Sequence, residues 1–277
     1  MNDKHTLQFA TYWNRPYIPM GGTEKIYLLI EAKGNGEVQM NRAPVNLSLV
    51  LDRSGSMTGS PLDYSKKACQ FVIEQMTEQD LLSMIAFDDE IQTVFEPQPV
   101  THKDLMKQQI ASIQPGGSTN FSGGLIQGAQ YVKQLKQDGT VQRVILLSDG
   151  HANNGVTDPI KLAAIAKEYQ HGGVGNSTIG LGDGFDEELM EGIADSGGGN
   201  FYYVEKPDDI PGIFAKELQG LLSVVAQNVK LHIQPSDNVQ ITNIYGYNPV
   251  NEDNALTLHL GDLFNEEVNL NFESNVL

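Results

Sequence analysis

Two rhythms of apolar residues alternate through the middle of the chain. Val45 to Leu51, Leu81 to Phe87, the run from Val144 and Ser177 to Leu181 are short, apolar and bounded by polar turn residues, which predicts buried strands. Between them, apolar residues recur at helical spacing. Leu62, Cys69, Val72, Ile73 and Met76 follow Pro61, and Leu105, Met106, Ile110 and Ile113 follow a start at Thr101 and Asp104. Helices are also predicted over 120–135, after Asp158-Pro159, over 186–194 and over 208–222, with a last strand from Asn200 to Val204. Ile91 to Phe95 alternates apolar with polar residues, as a half-exposed antiparallel edge strand does.

Repeated strand–helix units with buried strands imply an α/β fold. The expectation is a doubly wound, mostly parallel sheet with helices on both faces over residues 45–222. The flanks lack any helical pattern. Leu7 to Trp13, Lys25 to Glu31 and Val38 to Met40 read as strands before this domain. Val229 to Ile233, Val239 to Tyr245, Ala255 to Leu260 and Glu267 to Phe272 read as strands after it. Neither set buries a core alone. The economical arrangement pairs residues 1–44 with 223–277 in one β-sandwich, with the α/β domain inserted into it. Two separate β-extensions are the alternative.

Candidate chemistry sits where the first buried strand stops. Asp52-Arg53-Ser54-Gly55-Ser56 is a D-x-S-x-S run at the carboxyl end of a sheet strand, where open α/β sheets place ligands. A carboxylate and two hydroxyls suit a hard divalent cation, although the run alone also suits an ordinary Asx/Ser turn. Two later segments favour the cation. Pro115-Gly116-Gly117-Ser118-Thr119-Asn120 is a glycine turn carrying Thr119 into a helix. Val144-Ile145-Leu146-Leu147-Ser148-Asp149-Gly150 is a second buried strand ending in a carboxylate.

In this order the three segments resemble the von Willebrand factor type A (VWA) family, in particular its bacterial stand-alone members. The resemblance implies a Rossmann-like fold and a metal-ion-dependent adhesion site built from Asp52, Ser54, Ser56, Thr119 and Asp149. Mg²⁺ is the expected ion, with Mn²⁺ and Ca²⁺ as alternatives. If the D-x-S-x-S run stays extended, Asp52, Ser54 and Ser56 point the same way. The serines then coordinate directly, and the carboxylates bind through water or accept the hydroxyl protons. Thr119, by the resemblance, joins the metal when a partner presents Asp or Glu. Arg53 is expected to be a surface or loop-bracing cation rather than a ligand.

Composition narrows the partners. A formal net charge of −17 opposes binding to nucleic acid or anionic membrane. No apolar run approaches the ~20 residues of a membrane span. Cys69 is the single cysteine, which excludes an internal disulfide and, with no leader pattern at the start, suggests the cytoplasm. An extracellular adhesin that has lost its leader is the competing location.

Other signals are weaker. Asp88 and Asp89 suit either a solvated turn or a second cation site, and His151 either a loop residue or the rim of the first. Gly180-Leu181-Gly182-Asp183-Gly184 misplaces the third glycine of a dinucleotide loop. No P-loop, nucleophile elbow or zinc motif occurs, and the six histidines are scattered. A non-enzymatic, metal-dependent protein-binding module is therefore expected, with an Mg²⁺-dependent hydrolase or phosphatase as the alternative.

Overall fold

The computed structural model describes residues 7–15, 17, 24–34, 43–149, 152–182, 185–236, 239–245, 249–252, 255–264 and 269–276. The chain divides into two units, Ala43–Leu222 and a second made from Met1–Arg42 with Ser223–Leu277.

The first unit is built on a six-stranded sheet. Its strands are β3 (Val45–Asp52), β4 (Leu81–Phe87), β5 (Ile91–Pro99), β6 (Val141–Ser148), β7 (Gly175–Leu181) and β8 (Gly198–Val204), in the order β5-β4-β3-β6-β7-β8. All neighbours run parallel except β5, the antiparallel edge. Every residue of β3 and β6 is buried, because helices cover both faces and leave no wet side for polar alternation. Among the described residues six helices connect or follow the strands: α1 (Ser60–Gln75), α2 (Lys103–Ala111), α3 (Phe121–Gln134), α4 (Pro159–His171), α5 (Glu187–Ser196) and α6 (Ile210–Leu222).

Helix starts follow their side chains. Asn120, Asp158 and Asp186 each accept a backbone amide of the first turn at 3.0 Å, satisfying one of the orphan donors there. The helix expected from Thr101 begins instead at Lys103, capped by His102 without a side-chain bond, and Leu105 faces solvent. The helix expected from Asp208 opens as a short 3₁₀ turn, Pro207–Asp209, before α6.

Helix α3 sets the geometry that matters for the site. A Cβ on Gly128 would lie 2.5 Å from Val50 Cγ2, and one on Gly124 would lie 2.8 Å from the Phe87 ring. The two glycines thus let the helix settle directly on β3 and β4. Phe121 packs edge-on against Phe87, with ring centroids 6.2 Å apart. Leu125, Ala129 and Val132 extend the same core, each large side chain contributing about 1.5–3 kcal/mol by burial. The start of α3, with Thr119 before it, is thereby held at the carboxyl ends of β3 and β4.

The second unit contains two antiparallel sheets. One has the order β1-β2-β13-β10, from β1 (Leu7–Trp13), β2 (Glu24–Gly34), β10 (Val239–Tyr245) and β13 (Asn269–Val276). The other has the order β11-β12-β9, from β9 (Val224–Ile233), β11 (Val250–Glu252) and β12 (Ala255–Phe264). Ile30 of β2 and Leu258 of β12 are buried in one cluster with Leu28, Leu231, Ile233, Ile244 and Leu260, so both sheets supply it. The N- and C-terminal flanks are joined by β13 against β2, from Asn269 opposite Glu31 to Val276 opposite Glu24. The Val229 to Ile233 strand lies in β9, which pairs with β12. The strand expected at Val38 to Met40 lies outside the described residues.

Candidate metal centre

Strand β3 delivers Asp52 to the end of the sheet with its carboxylate fully buried. Both oxygens are used. The Ser54 amide donates to Oδ1 at 2.7 Å, and the hydroxyl of Ser148, from the end of β6, donates to Oδ2. Burial pushes the Asp52 carboxyl up to about 6 despite these bonds to Ser148 and Ser54, and the neighbouring Asp149 charge adds to the rise.

The run does not stay extended after Asp52. Gly55–Met57 forms a single 3₁₀ turn with Ser54 as its cap. The turn, not strand alternation, brings the two serine hydroxyls together at 3.2 Å. Ser56 Oγ then donates to Asp149 Oδ1 at 2.8 Å, which links the β3 loop to the β6 loop. Burial raises the Asp149 carboxyl above its ordinary value, and the Ser56 bond offsets this only in part. Asp52, Ser54, Ser56 and Asp149 thus form one hydrogen-bonded set.

Thr119 reaches this set through the backbone. The Gly55 amide donates to the Gly117 carbonyl at 2.9 Å, and the Gly116 amide donates to the Arg53 carbonyl at 2.7 Å. Thr119 is buried, and its amide donates to Asn153 Oδ1 at 2.8 Å. Asn153 and Ser148 escaped the sequence reading. Ser148 belongs to the S-D-G segment, whose aspartate alone drew notice, while a lone loop asparagine carries no signal.

Among the described residues, no three His, Cys, Asp or Glu side chains cluster as metal ligands. A cation here would rest on hydroxyls plus two carboxylates, which is the hard, all-oxygen set that Mg²⁺ takes. The buried carboxylates make the fit concrete. Desolvation penalises their charge, and a divalent cation among them would remove that penalty.

Asp88, expected in a solvated turn or a second cation site, is buried and paired with a guanidinium, and no cluster of three His, Cys, Asp or Glu forms around it among the described residues. Its Oδ1 accepts from Arg53 Nη2 at 2.9 Å and from the Glu90 amide at 3.0 Å, and its Oδ2 accepts from the Gly117 amide at 3.0 Å. His151 lies outside the described residues, as do Asp183 and Gly184. Gly182 takes the left-handed conformation at φ 77° and donates its amide to the Val204 carbonyl, which continues the pairing of β7 with β8 past Leu181. Cys69 is fully buried, and burial pushes its thiol up to about 12, so it is an inert core residue.

The von Willebrand factor type A domain profile matches residues 46–216. The uncharacterized protein sll0103 of Synechocystis is 33% identical over 213 residues, covering 76% of this chain and 50% of that protein. Escherichia coli YfbK, also uncharacterized, is 28% identical over 191 residues, covering 68% of this chain and 33% of that protein. The chain therefore spans half or less of the length of these relatives. A von Willebrand factor type A structure from Catenulispora acidiphila superposes with a TM-score of 0.80 at 17% identity, covering 100% of this chain and 67% of that one. At that identity the likeness shows the fold alone.

Proposed function

The chain belongs to the von Willebrand factor type A family, and from this premise we propose that it is a non-enzymatic module that binds a protein partner through a divalent cation. The carrying observation is the hydrogen-bonded set of Asp52, Ser54, Ser56 and Asp149 at the carboxyl ends of β3 and β6. Ser54, Ser56 and Thr119 offer neutral hydroxyls, and Asp52 and Asp149 balance the charge of one Mg²⁺. When bound, the ion supplies Lewis acidity and an exchangeable position for an anionic oxygen, here assigned to an Asp or Glu of the partner.

The chain's own residues prepare that exchange. Ser148 and the Ser54 amide orient the Asp52 carboxylate, Asp149 holds the Ser56 hydroxyl, and Asn153 fixes Thr119. No nucleophile–base pair accompanies them in the sequence, which favours binding over hydrolysis. No described helix is long and apolar enough to cross a membrane. The proposed setting is cytoplasmic, as a lone cysteine suits.

The test is calorimetric titration with MgCl₂ and MnCl₂ on the wild type and on Asp52→Ala. Wild-type binding that the substitution abolishes supports the site. Equal binding by both proteins sinks it. Assay with p-nitrophenyl phosphate and Mg²⁺ should show no turnover above that of Asp52→Ala.

A further inference from the structure

Arg53 lies between two residues of the proposed site, yet its side chain turns to a different loop. Its Nη2 sits 2.9 Å from Asp88 Oδ1, with the two side chains only 16% and 7% exposed. Asp88 stands directly after β4, and its Oδ2 accepts the Gly117 amide at 3.0 Å. One carboxylate therefore ties together the β3–α1 loop, the β4–β5 turn and the glycine loop before α3.

Backbone bonds run beside this tie. Gly116 N–H meets the Arg53 carbonyl, Gly55 N–H meets the Gly117 carbonyl, and Asn120 N–H meets the Asp88 carbonyl, at 2.7, 2.9 and 2.7 Å. The glycine at 116 is dictated by the same carboxylate, since a Cβ there would fall 1.7 Å from Asp88 Oδ2. Burial alone would raise the Asp88 carboxyl. The Glu90 and Gly117 amides and the Arg53 guanidinium outweigh it and hold the group below its ordinary value. Arg53 Nε is buried and has no hydrogen-bond partner among the described residues.

We infer that Arg53 and Asp88 are positioning residues: their ion pair locks the D-x-S-x-S loop against the glycine loop, so that Ser54, Ser56 and Thr119 are presented together. The inference rests on the metal-binding reading above for its purpose, but the lock itself is a property of the metal-free loops. It also has a sign that separates it from simple electrostatics. A cation beside a divalent ion repels it, so Coulomb's law alone has Mn²⁺ bind more tightly when Arg53 loses its charge. A positioning role has Mn²⁺ bind more weakly.

The experiment uses the full chain as wild type, Arg53→Met, Asp88→Asn and the double variant. Mn²⁺ affinity is read by calorimetry and by the electron paramagnetic resonance of bound Mn²⁺. Amide hydrogen exchange at Gly55 and Gly116 is read in EDTA. Both single variants should bind Mn²⁺ about tenfold or more weakly, as losses of outer supports usually do. The double variant should be no worse than the weaker single, and both amides should exchange faster in every variant. Equal or tighter Mn²⁺ binding by Arg53→Met, or exchange unchanged from wild type, overturns the inference. If Arg53→Met does not fold, Arg53→Gln, which also removes the charge but stays polar, is read by the same criteria. A wild type that ignores Mn²⁺ refutes the metal reading separately, and exchange at Gly55 and Gly116 then decides the lock alone.

Discussion

The Thr119 amide donates to Asn153 Oδ1 at 2.8 Å, and the amides of Asn153 and Asn154 return to the Thr119 carbonyl at 3.2 and 3.1 Å. The loop after β6 thereby fixes Thr119 through both its backbone N–H and its backbone C=O. Asn153→Ala removes only the side-chain acceptor and leaves a part-buried N–H unpaired, which costs about 1–3 kcal/mol. The expected result is a lower melting temperature together with weaker Mn²⁺ binding. A variant that melts lower but binds Mn²⁺ as wild type does would show that Thr119 needs no such brace.

The pH dependence has a defined sign. Asp52 titrates at about 6 when folded, against an ordinary value of 3.8. Below about pH 4 it is protonated in folded and unfolded chains alike and carries no penalty. Above about 6 it is ionised in both, and only the folded state bears the desolvation. Metal-free stability should therefore fall by about 3 kcal/mol between these limits through this group. Asp149, also raised, adds in the same direction. In EDTA at neutral pH, Asp52→Asn should be more stable than wild type, with the difference vanishing near pH 4. Mg²⁺ reverses the preference because binding needs the carboxylate, so affinity should drop roughly tenfold per pH unit below about 6. Denaturation of both proteins across this range, with and without Mg²⁺, checks each half. A wild type as stable as Asp52→Asn at neutral pH in EDTA contradicts it.

Much of this molecule is legible in its sequence where one physical rule dominates. Val45 to Leu51 and Leu81 to Phe87 read as strands because both faces are covered, which leaves no polar alternation to confuse the period. Asp158 and Asp186 mark helix starts because their caps are local. The residues of the hydrogen-bonded set at the ends of β3 and β6 are legible too, but not their geometry. Ser54 and Ser56 meet through a 3₁₀ turn that strand periodicity does not foresee. Supports from elsewhere in the chain stay invisible. Ser148 lies 96 positions from Asp52, and Asn153 lies 34 from Thr119. The short β11 and the choice of β13 over β9 as partner of β2 depend on long-range pairing, which no local pattern encodes.

Gly128 sets two known effects against each other. Alanine in a helix interior gains about 0.5–1 kcal/mol over glycine. The added methyl would stand 2.5 Å from Val50 Cγ2 and 3.3 Å from Ser48 Oγ, within a fully buried layer. Overpacking of that kind costs about 1–3 kcal/mol, so the clash should win. Gly128→Ala should lower stability in urea, whereas Gly192→Ala, whose Cβ would meet no described atom within 4 Å beyond its chain neighbours and its own helix backbone, should not. Gly128→Ala stability equal to or above wild type would mean that α3 is free to lift from β3.

Glu217 is another buried carboxylate, and its partners make a sharp prediction. It lies on α6, almost fully buried, and three side chains donate to it. Ser177 Oγ reaches Oε1, while Asn200 Nδ2 and Tyr202 Oη reach Oε2 at 2.9 and 2.8 Å. The Tyr202 hydroxyl is correspondingly harder to ionise, through burial first and the Glu217 charge second. Glu217→Gln preserves shape but turns an NH₂ group towards at least one of these donors. The charge-assisted character of these bonds is lost, worth roughly 1.5–3 kcal/mol. Tyr202→Phe removes one partner of the same bond, so the double variant should be less destabilised than the sum of the singles. Hydrogen exchange in α6 should rise in Glu217→Gln and partly recover in the double variant. Strict additivity across that cycle would show that Glu217 and Tyr202 do not share a bond, and the anchoring of α6 would have to come from its apolar face, Phe214, Leu218 and Leu221.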